Sequence, residues 1–113
     1  MVNDDTASAV RAIFDSVPKR LDPAAAANVD ALIRINLTGN AGGTYFVEIR
    51  DGAATVSNRS NGQPQLTMTV SAADYVALLE GKLNTQLAFM NGKLKMVGDV
   101  GLFMKLPSLF RFS

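Results

Sequence analysis

The residues of this chain that could do chemistry are few, and their spacing argues against catalysis. Among 113 residues there is no His and no Cys. Imidazole acid–base chemistry, thiol nucleophiles, disulfides and Cys/His zinc sites are therefore excluded. Asp15, Asp22 and Asp30 fall at helix termini and turns, where capping accounts for them. Asp99 is the one carboxylate set deep in an apolar neighbourhood. It reads either as a helix N-cap or as an acid–base group. Gly39, Gly42 and Gly43 lack the spacing of a phosphate-cradling loop, and a strand follows them instead of a helix. Lys93, Lys95 and Lys105 could meet a carboxylate or phosphate, or could simply carry solvated charge. No residue is assigned a catalytic or metal-binding role, no cofactor is expected, and the chain is read as a non-enzyme.

What stands out instead is apolar bulk. Gly92 to Leu106 reads as a strand, a sharp turn and a helix with hardly any linker. Leu94 and Met96 alternate with Lys93 and Lys95, the pattern of a strand with one face in oil. Gly98 turns the chain and Asp99 takes the N-cap position. Val100, Leu102, Phe103, Met104 and Leu106 then leave almost no polar face, and Pro107 is expected to stop the run. Phe89, Met90, Leu109 and Phe110 lie close by in sequence. This surface needs a cover: the domain's own core, a partner, or an apolar ligand.

The remaining elements follow from periodicity. Val10, Ile13, Phe14 and Val17 give a helix from Asp4 to Val17, with Asp4, Asp5 and Thr6 at its start and Pro18 ending it. Asp22-Pro23 before Ala24–Ala27 suggests a short second helix. Ile33, Ile35 and Leu37 then alternate with Arg34, Asn36 and Thr38. Tyr45, Val47 and Ile49 alternate with Phe46, Glu48 and Arg50, and Asp51-Gly52 is a hairpin turn. Val56 belongs to the next strand, and Leu66, Met68 and Val70 to a fourth. Phe46 is the exception on the outer face, where a dimer contact is the alternative to ordinary exposure. Ser71 caps a helix over Ala72–Glu80 with Tyr75, Leu78 and Leu79 on its apolar stripe, and Asn84 caps another short one.

These five strands, each with one apolar and one polar face, give an α+β domain. Its sheet is largely antiparallel and five-stranded, with about five helices packed on one face. One domain, residues 1–113, accounts for the length. Hydrophobic residues make up 48% and charged residues 19%, a globular composition. The net charge of +1 is too small to argue for nucleic acid. Residues 1–79 hold six Lys/Arg and eight Asp/Glu, whereas residues 80–113 hold five basic residues, including Lys82 and Arg111, against Glu80 and Asp99. A basic patch beside an apolar segment suits either a transient anionic membrane surface or plain solvation. The polar, acidic start is no signal peptide, and no apolar run approaches the ~20 residues that span a bilayer, so a soluble cytoplasmic protein is expected.

One resemblance sharpens this reading. Gly81-Lys82-Leu83-Asn84, Ala88-Phe89-Met90, Gly92-Lys93-Leu94-Lys95, Gly98-Asp99, Gly101-Leu102 and Met104-Lys105-Leu106 follow one another as in the sterol carrier protein type-2 domain family. Gly43-Thr44-Tyr45 followed by Asp51-Gly52 also fits. The resemblance implies an apolar tunnel between sheet and helices that carries fatty acids, fatty acyl-CoA, sterol-like or isoprenoid lipids. The expected lining comprises Phe14 from the first helix and Ile33, Ile35, Val47, Leu66, Met68, Leu94 and Met96 from the strands. Leu87, Phe89, Met90, Leu102, Phe103, Leu106 and Phe110 complete it from the last third. Phe103 stands where the family often has a small residue, which narrows or reshapes the tunnel. Arg111-Phe112-Ser113 is not the tripeptide that directs eukaryotic carriers to peroxisomes. The expected role is binding and intracellular transfer of a lipid ligand. The alternatives are an interaction or dimerisation module with a filled core, or an accessory domain of a lipid-metabolising enzyme.

Overall fold

Strands form where alternation leaves one face to bury, and the bonding register then decides which side chains share a row. The computed structural model describes residues 3–59 and 62–110, with side chains from residue 6 onward. Its strands are β1 (Ala31–Thr38), β2 (Gly43–Arg50), β3 (Ala53–Ser57), β4 (Leu66–Ser71) and β5 (Leu94–Gly98). They make one sheet in the order β3-β2-β1-β4-β5. Three of the pairings are antiparallel, and β1 with β4 is parallel. The parallel pair follows from the meander. β3 points the same way as β1, so the chain must travel back along the sheet before β4 can begin. Asp51 and Gly52, with φ of 55° and 75°, form the tight hairpin between β2 and β3. Two successive left-handed residues match the twist of the strands they join.

Among the described residues four helices, not five, cover one face: α1 (Asn3–Arg20), α2 (Ala72–Leu79), α3 (Thr85–Met90) and α4 (Val100–Leu109). Residues 23–28 form turns in place of the expected second helix. There the Asp22 carboxylate accepts from Ala24 N–H at 3.0 Å, and the Asp22 carbonyl accepts from Ala26 N–H at 3.0 Å. An Asp that engages the following backbone in this way stabilises a turn as readily as a helix start.

Two boundaries are also corrected. Pro18 and Pro107 do not end their helices; each lies inside, with two residues to follow. In a last turn the missing N–H removes a single ladder bond, while the ring fixes φ near the helical value. The three later N-caps stand as expected. Ser71 Oγ accepts from Asp74 N–H at 3.1 Å, Asn84 Oδ1 from Leu87 N–H at 3.0 Å, and Asp99 Oδ1 from Leu102 N–H at 3.0 Å. The Asp4 and Asp5 side chains, and Arg111 and Phe112 of the tail, lie outside the described residues.

α1 packs on α2 and β3, α2 on β1 and β4, α3 on β5, and α4 on β4. The core lies between the layers, built on Ile33, Ile35, Val47, Ile49, Leu66, Met68 and Val70 below and on Val10, Phe14, Val17, Tyr75, Leu102 and Leu109 above. The opposite face of the sheet carries Arg34, Asn36, Phe46, Glu48, Thr67 and Lys95. Phe46 is half-buried there, level with Arg34 on one side and Ser57 on the other.

Candidate functional site

Two rows of inward side chains form the floor beneath the helices. Val56, Val47, Ile33 and Leu66 lie level across four strands, and so do Tyr45, Ile35, Met68 and Met96. At about 4.8 Å per strand, the second row spans roughly 14 Å from Tyr45 to Met96. The roof above Tyr45 is aromatic. The Phe14 ring is stacked on Tyr45 at 4.0 Å between centroids, and on Tyr75 at 5.4 Å, both nearly parallel. Among the described residues no polar or charged side chain other than the phenol of Tyr75 lies within this interior. Burial, and secondarily the nearby Tyr45, pushes the Tyr75 phenol well above the ordinary tyrosine range.

The other end of the floor is covered by α4. Leu102 and Leu109 are buried, Phe103 and Leu106 half-buried, and Val100 and Met104 exposed. Backbone bonds pin both ends of this helix. Asp99 N–H donates to the Gln65 carbonyl at 2.7 Å, and Asp22 N–H to the Leu109 carbonyl at 2.8 Å. Leu21 and Phe110 bridge beside the second bond. Gly98 makes the first approach possible. Its φ is +114°, and a Cβ there would run into the Gln65 carbonyl. α3 sits against β5, whereas α4 rests on β4. Its Ala88 is buried, but Leu87, Phe89 and Met90 are 54%, 50% and 72% exposed.

The residues expected from the sequence are thus placed in three ways. Phe14, Ile33, Ile35, Val47, Leu66, Met68, Leu94 and Leu102 are buried between the layers. Met96, Phe103, Leu106 and Phe110 lie at its margin, and Leu87, Phe89 and Met90 stand outside on α3. A cavity of about 570 Å³ opens elsewhere, between the first half of α1 and the β2–β3 side. It is lined by Val10, Phe14, Tyr45, Val56 and Ala41, with Arg11, Asp15 and Asn58 also on its wall. Of the expected residues only Phe14 reaches it. Sequence reading placed Tyr45 and Tyr75 in apolar stripes but missed that they converge on Phe14. The available signal was a phenol in a stripe that otherwise carries Leu and Val. A second cavity of about 410 Å³ lies between Leu32, Glu48 and Gln65.

Asp99 is exposed and committed to capping α4. Among the described residues no group of three or more Asp or Glu could hold a metal ion. None of the described helices is long and apolar enough to cross a membrane.

Comparison with known proteins gives this geometry a place. Human sterol carrier protein 2 is 39% identical over 71 residues, which cover 63% of this chain and 13% of that protein. The chain therefore spans a small part of the curated relatives it matches. The apo structure of sterol carrier protein 2 from Yarrowia lipolytica is 30% identical, covers 85% of this chain and 84% of its own, and superposes with a TM-score of 0.65. The fold also recurs in the stereoselective inverting sec-alkylsulfatase Pisa1 from a Pseudomonas species. There the TM-score is 0.75 at 20% identity, over 87% of this chain and 16% of that one. The SCP-2 sterol transfer family itself matches residues 11–111. With its five-stranded sheet, one-sided helices and apolar interlayer, the chain belongs to the SCP-2 sterol transfer family.

Proposed function

We propose that the chain binds single lipid molecules between its sheet and helices and carries them from one membrane to another, without catalysing a reaction. The observation that carries this reading is an apolar interlayer covered towards its β5 side by α3 on β5 and α4 on β4, in a chain of this family. A long acyl chain gains about 0.8 kcal/mol per buried CH₂. A dozen methylenes could supply roughly 10 kcal/mol before ordering and association costs, enough for micromolar binding without a specific polar contact.

In this reading Leu94, Met96, Leu102, Phe103 and Leu106 line the β5 end of the site, and Leu87, Phe89 and Met90 form its rim. Exposed Lys105 directly follows exposed Met104, and exposed Lys93 comes three residues after exposed Met90. That pairing suits brief contact with an anionic bilayer, apolar groups entering and lysines meeting head groups. The test is uptake of a fluorescent fatty acid, together with native mass spectrometry of the purified chain. A saturable micromolar titration supports the proposal; no bound lipid by either method at tens of micromolar rejects it.

The small share of its relatives that the chain spans, and the recurrence of the fold within a sulfatase chain, favour one second reading. There the same interlayer would hold an apolar substrate for an enzyme to which the domain is joined. Co-purification with such an enzyme, and loss of its turnover when the domain is removed, would separate the two.

A further inference from the structure

The interior contains one polar feature that apolar burial does not explain. Tyr75 is 7% exposed, yet its phenol is not used to hold the fold together. Among the described residues neither the Tyr45 nor the Tyr75 hydroxyl has a hydrogen-bond partner. A hydroxyl in an apolar interlayer adds nothing to the fold without a partner, and a Phe at either position would keep the ring stack. Nor are the two hydroxyls packed shut. Among the described residues the sealed side-chain polar atom without a partner is Arg34 Nε, on the outer face of the sheet. Tyr45 lines the 570 Å³ cavity, and Tyr75 stacks on Phe14, which lines it as well. That space has the volume of an ordinary ligand pocket. Its wall carries one cation, Arg11, and one anion, Asp15, so the wall alone selects neither sign.

We propose that the Tyr45 and Tyr75 hydroxyls form the head-group end of the lipid site and donate hydrogen bonds to the carboxyl group of a fatty acid. This rests on the lipid-binding reading above and adds to it a polarity and a direction. The chain of the acid lies along the row Ile35, Met68, Met96, which leads from Tyr45 to the β5 edge. Met68 and Met96 stand in that row and would have to move to admit the chain. Methionine is the side chain best suited to swing aside, being unbranched and polarizable. The open side of the cavity at Arg11 and Asn58 leaves the carboxyl partly hydrated, so it is not stripped of all water on entry. The elevated phenol pKa keeps Tyr75 a proton donor throughout the neutral range.

The experiment uses the full chain and two probes that differ only at the head: 12-(1-pyrenyl)dodecanoic acid and 1-dodecylpyrene. Tyr45→Phe and Tyr75→Phe should each lower affinity for the acid tenfold or more, and change affinity for the hydrocarbon less than twofold. Unchanged affinity for the acid in both variants, or equal losses for both probes, overturns the assignment while leaving lipid binding intact. Failure of the wild type to bind either probe overturns the lipid reading itself. A second measurement needs no variant. Adding palmitate to protein carrying ¹³Cζ-tyrosine should move both tyrosine resonances, whereas resonances that stay fixed on saturation refute the contact.

Discussion

Phe103 and Leu102 are neighbours on α4 with opposite expected roles, and comparing their truncations tests where the ligand lies. Leu102 is 6% exposed and sealed in the core. Leu102→Ala should therefore carry the full transfer and cavity cost, about 3 kcal/mol within the usual range of 2–5. Phe103 is half-buried at the margin of the core. A fully buried Phe costs roughly 3–5 kcal/mol on truncation, and with part of the ring already in water about 2 kcal/mol is expected. At a urea m-value of about 2 kcal/mol/M these become midpoint shifts of about 1.5 M and 1 M. The order should invert in ligand selection. Phe103→Ala enlarges the space under α4 and should admit bulkier, sterol-like lipids, whereas Leu102→Ala should mainly weaken the fold. Urea unfolding followed by circular dichroism, with displacement of a fluorescent fatty acid by a lipid panel, reads both quantities. If Phe103→Ala destabilises as much as Leu102→Ala and leaves the lipid range unchanged, Phe103 is core and the ligand space lies elsewhere.

Other outcomes follow from the same geometry. Gly98→Ala should cost about 2–4 kcal/mol, through its left-handed φ and the collision with the Gln65 carbonyl, visible as a lower thermal midpoint; an unshifted midpoint refutes it. Tyr75 holds its proton more tightly folded than unfolded, so its contribution is complete below pH about 10 and fades as pH rises above it. Tyr75→Phe should flatten that alkaline loss in urea titrations, and an unchanged alkaline slope would remove the cause. Amide exchange in the middle of α4, Phe103 to Leu106, should be faster than in central β1 and should slow when palmitate is added. Equal protection with and without lipid would count against a ligand beneath this helix.

Much of the fold was legible in the sequence because its determinants are local. Alternation in Ile33–Ile35–Leu37 or Leu66–Met68–Val70 can be satisfied only by a strand with one buried face, and Asp51-Gly52 can hardly be anything but a tight hairpin. Ser71, Asn84 and Asp99 cap because a short side chain finds a free N–H two or three residues on, whatever surrounds it. Pro18 and Pro107 misled for a related reason. Proline's cost depends on how many helix bonds follow it, which the residue alone does not state. The parallel neighbour of β1, and therefore the row from Tyr45 to Met96, depended on how the chain returns after β3. The fate of the apolar last third was decided the same way. Leu102 and Leu109 go inward while Leu87, Phe89 and Met90 stay in water, because α3 is short and rests on an edge strand, whereas α4 is fastened at both ends over the core. The meeting of Tyr45 and Tyr75 around Phe14 is likewise a product of tertiary structure alone. Three residues from a helix, a strand and another helix share no local pattern, and only packing of the layers brings their rings together.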